Sequence, residues 1–466
     1  MLVAATTAIC IWLIQSNPVI YWYDSYMRLA LRDQIFVNPW LPVAQIVVFA
    51  LSRLTSDLAV FRIAWAVISA LTLISAYLFA SQAFDSKAVG LIAALLIATN
   101  QMFLALATVP YTEVIFVGLL LLGLYFYDRS DRPDQVRAVA ALNLACLTRY
   151  EGWALAAILA VEKFIVSLRQ DGFDQAVRRS LTTLLALGWF VPIWLIVGTV
   201  QMYAAEAGRT SAQGQAQVVE SINEFFNILG WQAGREIMVL SLIGVAFALA
   251  SAHGRRLVIR LIALLLINFP LEILINPFNL RQTYLYLMLI LIFAAFGLER
   301  LAHGLIALMR LQSRTGQVVR VAALSLAAAV LGVNAAAFSL HFVAETSNQP
   351  VFRSAYAVGR WCKNHPETPA PRLLVLTDVV GMPYMLSVYS EIPVENIIIS
   401  STDAVVALNR EKASYVIALN VPGTILSPAA KELRTNLDAG IVPSTEVNVG
   451  SAQIWVLDGA ESENQP

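Results

Sequence analysis

The sequence predicts an α-helical polytopic membrane protein that ends in a small α/β domain. Three observations predict it. Of the 466 residues, 58% are hydrophobic and only 13% charged, where a soluble domain carries roughly a quarter charged residues; mean hydropathy is +0.68. Apolar stretches of spanning length recur up to residue 342. From residue 346 onward, short β-rich runs alternate with helix-like segments.

The spans read, in order, as residues 1–15, 59–80, 88–107, 111–127, 138–146 (short), 153–168, 180–202, 237–251, 257–275, 283–298 and 321–342, about eleven in all. Residues 1–15 lack a basic n-region and a small-x-small cleavage pattern, so they read as a retained first membrane helix. Residues 38–54, with Trp40-Leu41-Pro42, are apolar but interrupted, and fit a helix lying in the interface. The stretch 322–337 is rich in alanine, a surface for close helix packing. No internal repeat is visible.

Loop charges set the expected orientation. Alternate connections hold Lys87; Arg129, Arg132 and Arg137; Arg169, Arg178 and Arg179; Arg255, Arg256 and Arg260; and Arg300, Arg310, Arg314 and Arg320. By the positive-inside rule these face the cytoplasm. The remaining connections, 16–58, 108–110, 147–152, 203–236 and 276–282, then face out, together with everything after residue 342. The formal net charge is zero, so no basic balance points to nucleic acid.

In the exported domain, residues 346–460 after a membrane domain of 1–342, strands are expected at 373–377, 396–400, 415–419 and 453–457. Helices are expected at 379–388, at 403–412 after Thr402 as N-cap, and at 429–437 after Ser427-Pro428. There is no Gly-rich phosphate loop; Val380-Gly381-Met382-Pro383 reads as a turn. Cys10, Cys146 and Cys362 supply neither a disulfide framework nor a CxxC pair. His253, His303, His341 and His365 lack HExxH and HxH spacing, so no cofactor is expected and a divalent metal is not indicated.

Ionisable residues in or beside spans cost about 2.5–3.5 kcal/mol each at mid-bilayer, so their retention points to function. Asp24, in Tyr21-Trp22-Tyr23-Asp24-Ser25-Tyr26-Met27-Arg28, lies just beyond the first apolar segment. Two readings stand for it: the N-cap of a following helix, or a general base. Arg28 and Arg32 follow at intervals of four, on the same helical face, as contacts to headgroups or phosphate. Glu113 lies one turn into a span, in Val109-Pro110-Tyr111-Thr112-Glu113, and either lines a cavity or pairs with a cation from another helix. Arg149, in Leu147-Thr148-Arg149-Tyr150-Glu151-Gly152, is a cation on the exported side; on a regular helix it would not sit beside Glu151. The pair either lines a cavity or snorkels at the interface. Arg281, in Asn276-Pro277-Phe278-Asn279-Leu280-Arg281-Gln282-Thr283-Tyr284, breaks the charge rule in the same way. It can grip a phosphate bidentately or anchor to headgroups. Arg62 is expected to pair with Asp57. Two readings stand for Tyr21, Trp22, Tyr23, Tyr26, Trp40, Tyr111 and Trp153: an ordinary interfacial belt, or a belt in which one or two rings stack on a sugar; composition does not choose between them.

Taken together, these motifs resemble the GT-C superfamily of polytopic glycosyltransferases over residues 1–301. The resemblance rests on the first-loop Asp24, Trp40-Leu41-Pro42, Phe61-Arg62-Ile63, Pro110-Tyr111-Thr112-Glu113, Leu147-Thr148-Arg149-Tyr150-Glu151-Gly152, and Arg281 with Tyr284. The bacterial branch related to protein O-mannosyltransferases and lipid A aminoarabinose transferases is the most similar. The resemblance implies a GT-C-like fold in a bacterial inner membrane, a polyprenyl-phosphate-sugar donor, and inverting transfer to an extracytoplasmic glycan, lipid or protein. It implies Asp24 as the catalytic carboxylate and Arg281 as a donor-phosphate ligand, with Arg28 beside it. Glu113, Arg149, Glu151, Tyr284 and Tyr111 would line the cavity. Ser25 stands where the family has a second acid, which weakens a metal-bridged site. No WWDYG-like segment is present, which argues against an oligosaccharyltransferase. The rival readings are a transporter or flippase of lipid-linked sugars, expected to carry paired discontinuous helices, and a non-catalytic membrane subunit.

Overall fold

The computed structural model describes residues 1–35, 41–129, 132–189, 216–275, 283–308, 314–365, 371–377, 379, 381–399, 413–419, 426, 428–439, 444–449 and 451–457. In chain order the helices are α1 (Leu2–Ser16), α2 (Tyr23–Ala30), α3 (Pro42–Leu54), α4 (Leu58–Ala70), α5 (Thr72–Ala83) and α6 (Lys87–Thr99). There follow α7 (Gln101–Ala107), α8 (Thr112–Tyr127), α9 (Arg132–Cys146), α10 (Glu151–Asp171), α11 (Phe173–Gly188) and α12 (Ala216–Ala233). Then come α13 (Arg235–Ala250), α14 (Ala252–Ile275), α15 (Tyr284–Leu308), α16 (Arg314–Ser347) and α17 (Pro350–Asn364). The chain forms two compact units: Met1–Gln15 with Gln34–Phe342, and Ser16–Asp33 with Val343–Pro466.

The first unit is helical. Among the described residues, Leu58–Ala83 and Tyr284–Ile306 are each long and apolar enough to cross a membrane. Two further pairs qualify if each counts as one span: Lys87–Thr99 with Gln101–Ala107, bent by 66°, and Ile222–Ala233 with Arg235–Ala250, bent by 101°. The interrupted segment ahead of Leu54 forms α3, with Pro42 in its first turn, where a missing N–H costs nothing. Its Trp40 lies outside the described residues.

Each bend has a local cause. Asn100 ends α6 and caps α7, its side-chain oxygen accepting from Met102 N at 2.9 Å. Gly234, at φ 83°, turns the chain between α12 and α13. The two bends meet: Asn100 Nδ2 donates to the Gln232 carbonyl at 3.1 Å, and Thr283 Oγ1 donates to Gln232 Oε1 at 2.7 Å. The Asn100 side-chain amide thus engages backbone that a broken apolar helix leaves open.

Close approach elsewhere depends on glycine. A Cβ at Gly244 on α13 would lie 1.9 Å from the Phe293 carbonyl oxygen on α15, and one at Gly297 would lie 2.1 Å from that of Leu240. The two backbones touch, as small residues permit between apolar helices. Gly244→Val is expected to destabilise the first unit by about 3 kcal/mol, the upper end for overpacking, because carbonyl groups cannot swing aside as side chains do. Thermal unfolding in detergent reads this.

Asp57 does not pair with Arg62. Its carboxylate caps α4, accepting from Ala59 N at 2.7 Å and Val60 N at 2.9 Å. Arg62, 2% exposed, donates instead from Nε to the Thr108 carbonyl at 2.9 Å. The basic residues Arg256 and Arg260, expected as loop charges, lie on α14 and hold helices together. Arg260 donates to both oxygens of Asp128, at 2.9 and 2.8 Å, and to Glu162 at 2.7 Å.

The second unit carries a sheet of β1 (Leu373–Leu376), β2 (Ile397–Ile399), β3 (Tyr415–Leu419), β4 (Ser444–Val449) and β5 (Ala452–Leu457), in the order β2-β1-β3-β5-β4. β1 pairs parallel with β2 and β3, and β5 pairs antiparallel with β3 and β4. Helices α18 (Met382–Ser390) and α19 (Pro428–Asp438) complete it. Leu374, Leu376, Val416, Ala418, Leu433 and Trp455 form a core on one face. The strands expected around 373, 396, 415 and 453 are all present, and α19 matches the helix expected at 429–437. The helix expected at 379–388 starts three residues later, with Gly381 as its N-cap and Pro383 in the first turn. The one expected at 403–412 lies outside the described residues. β4 and α17 were not expected. β4 is a half-exposed edge strand whose Glu446 and Asn448 hide its period of two. On α17, burial pushes the Cys362 thiol up to about 12.

Candidate functional site

The candidate residues fall into groups in each unit. In the second unit, the chain enters α2 through Trp22, whose backbone is left-handed at φ 67° and which occupies the N-cap without a side-chain cap bond. Asp24 is therefore the second residue of the helix, and the N-cap reading is corrected: the helix starts two residues too early for it. In the first turn its charge still favours the helix N-terminus. Asp24 is half-buried, beside the fully buried Ser25 and Tyr26. Arg28, one turn on, is 3% exposed. Arg32 lies beyond the helix end, so the expected three-residue face stops at Arg28.

In the first unit, Tyr111 (3% exposed) is the N-cap of α8, and Glu113 (2% exposed) lies in its first turn. Arg149 lies in the turn between α9 and α10, and Glu151 opens α10. The structure brings them together. Arg149 Nη1 bonds Glu113 Oε1, while Nη2 and Nε hold Glu151 Oε1 at 2.5 and 2.8 Å. Thr112 joins, donating to Glu113 Oε2 at 3.1 Å. Of the two readings of Glu113, pairing with a cation from another element is the one observed. The expectation that Arg149 and Glu151 would not pair fails because it assumed a regular helix; Arg149 precedes α10, and a turn lets its side chain fold back. Gly152 permits the tight turn, since a Cβ there would lie 2.8 Å from Cys146 Cα.

Tyr284, at the start of α15, is fully buried and within electrostatic reach of Glu113. Its hydroxyl has no hydrogen-bond partner among the described residues. Arg281 lies outside the described residues. No group of three His, Cys, Asp or Glu able to hold a metal occurs among the described residues. Sequence reasoning passed over Thr112, although it stood in the motif.

No protein-family model matches the sequence, and no curated protein does. Solved structures do. ArnT from Cupriavidus metallidurans bound to undecaprenyl phosphate is similar at TM-score 0.59 and 13% identity, over 100% of this chain and 98% of that one. Its apo form gives 0.54 over 97% and 96%, again at 13% identity. The chain has the GT-C fold. The archaeal oligosaccharyltransferase AglB from Archaeoglobus fulgidus, in complex with an inhibitory peptide and a dolichol-phosphate, shares that GT-C fold at TM-score 0.51 and 12% identity. The likeness covers 89% of this chain and 69% of AglB. The likeness to ArnT bound to undecaprenyl phosphate extends over both units of this chain.

Proposed function

We propose that the protein is an inverting glycosyltransferase that moves a sugar from a polyprenyl-phosphate carrier to an extracytoplasmic glycan, lipid or protein. The carrying observation is the full-length likeness in fold to a structure that holds undecaprenyl phosphate. In this reading the chain spans the bacterial inner membrane about eleven times, with Asp24, Glu113, Arg149, Glu151 and Arg281 on the exported side. Asp24 takes the proton from an acceptor hydroxyl as its oxygen attacks the anomeric carbon. The carbon–phosphate oxygen bond breaks, and the polyprenyl phosphate leaves with the electron pair. A single carboxylate suffices, because phosphate needs no strong acid to leave. Arg281 holds that phosphate, with Arg28 near the acid, and stabilises the charge it gains. Glu113, Arg149, Glu151, Tyr111 and Tyr284 shape the cavity wall.

Transfer of labelled sugar from an undecaprenyl-phosphate donor to extracted envelope acceptors, in proteoliposomes, tests the reading. Arg281→Ala is expected to raise the donor KM by about tenfold, the worth of one charge-assisted hydrogen bond; an unchanged donor dependence counts against phosphate binding. A second reading, transport of a lipid-linked sugar, takes support from the two bent helix pairs that touch through Asn100 and Gln232. The same vesicles separate the two, since a transporter moves the donor across the bilayer and forms no glycosidic bond.

A further inference from the structure

Ile20 is fully buried in irregular chain four residues before Asp24, where both of its backbone polar groups need partners. Two tyrosines supply them. Ile20 N donates to Tyr389 Oη at 2.7 Å, and Tyr26 Oη donates to the Ile20 carbonyl. The two hydroxyls lie 3.1 Å apart. With the Tyr26 proton on Ile20, Tyr389 donates to Tyr26, and the ring of bonds closes. Tyr26 is two residues after Asp24 on α2; Tyr389 is on α18 of the α/β domain. The rings are wedged as well. Tyr26 stacks on Phe352 at 6.1 Å and meets Tyr389 edge-on at 5.8 Å, and Tyr356 braces Tyr389 from 5.0 Å. Between Ile20 and Asp24 stands Trp22, at φ 67°. A bulky residue persists in that conformation only where its surroundings over-determine it.

We propose that Tyr389 is a positioning residue for sugar transfer, acting through Tyr26 and Ile20 to hold the strained entry to α2 and so the Asp24 carboxylate. The α/β domain is then part of the catalytic apparatus rather than a separate binding module. This rests on the reading of Asp24 as the base.

The test uses the full-length chain in proteoliposomes. Tyr389→Phe removes one hydroxyl and keeps the ring packing, and Tyr384→Phe on the same helix is the control. Hydrogen–deuterium exchange of the peptide covering residues 18–27 is expected to quicken by roughly 5- to 10-fold in Tyr389→Phe, the worth of one hydrogen bond. Its kcat is expected to fall by about 10- to 100-fold, the effect of a small misplacement of a reacting group, with donor KM unchanged. A merely structural role would lower the yield of folded protein and leave kcat per folded molecule as it was. Unchanged exchange overturns the proposal, as does quickened exchange with unaltered kcat. Should the unaltered chain transfer no sugar, the functional reading fails and the catalytic role of Tyr389 with it. The exchange arm alone then reports whether the clasp exists.

Discussion

Asp24→Asn is expected to lower the rate of sugar transfer by about 10²–10⁴-fold, the usual contribution of a positioned general base. The substitution keeps the size and shape of the side chain and removes only its charge and basicity. The thermal midpoint separates loss of chemistry from loss of folding. Asp24 does not cap α2, since Trp22 holds that position, so its contribution to the helix is the attraction of a charge to the first turn, about 0.3–1 kcal/mol. Initial rates with a labelled undecaprenyl-phosphate sugar measure the effect, alongside the thermal midpoint of the same preparation. Asp24→Glu keeps the base but shifts it by one methylene, and should retain a fraction of the activity. Full transfer by Asp24→Asn would sink the assignment.

How much of this was legible in the sequence depended on whether the signal was local. Apolar runs place the helices of the first unit well, because burial in lipid is written residue by residue. The α/β alternation likewise marks β1, β2, β3, β5 and α19. Where the reading failed, geometry rather than composition was the missing quantity. Arg149 and Glu151 were judged unable to pair on a helix, yet the chain turns between them. Asp57 lay close enough in sequence to be assigned to Arg62, but the start of α4 claimed its carboxylate. Asp24 was offered as an N-cap, and a two-residue shift of the helix start removed that role. Tyr389 illustrates the limit. It contacts Ile20 across 369 residues of chain, and nothing in the sequence around either residue announces the other.

Arg149→Ala is expected to destabilise the first unit by about 3 kcal/mol, the lower end for breaking a buried ion pair. Glu113 and Glu151 are 2% and 7% exposed, so losing the guanidinium leaves two carboxylates with little water to replace it. The Arg149 side chain is itself 17% exposed, and solvent entering the vacated space holds the loss to that end of the range. The damage should come from the stranded acids rather than from the missing contacts. Adding Glu113→Gln and Glu151→Gln to Arg149→Ala is therefore expected to recover much of the loss, because neutral amides tolerate burial better than unpaired charges. Arg149→Lys should fall between, as a single ammonium cannot reach both carboxylates from one turn in the way a planar fork does. Unfolding midpoints of the four proteins in detergent decide it. If the triple variant is no more stable than Arg149→Ala, the cluster holds α8 and α10 together by packing instead. If the triple variant is stable but transfers sugar poorly, the paired charges serve the reaction as well as the fold.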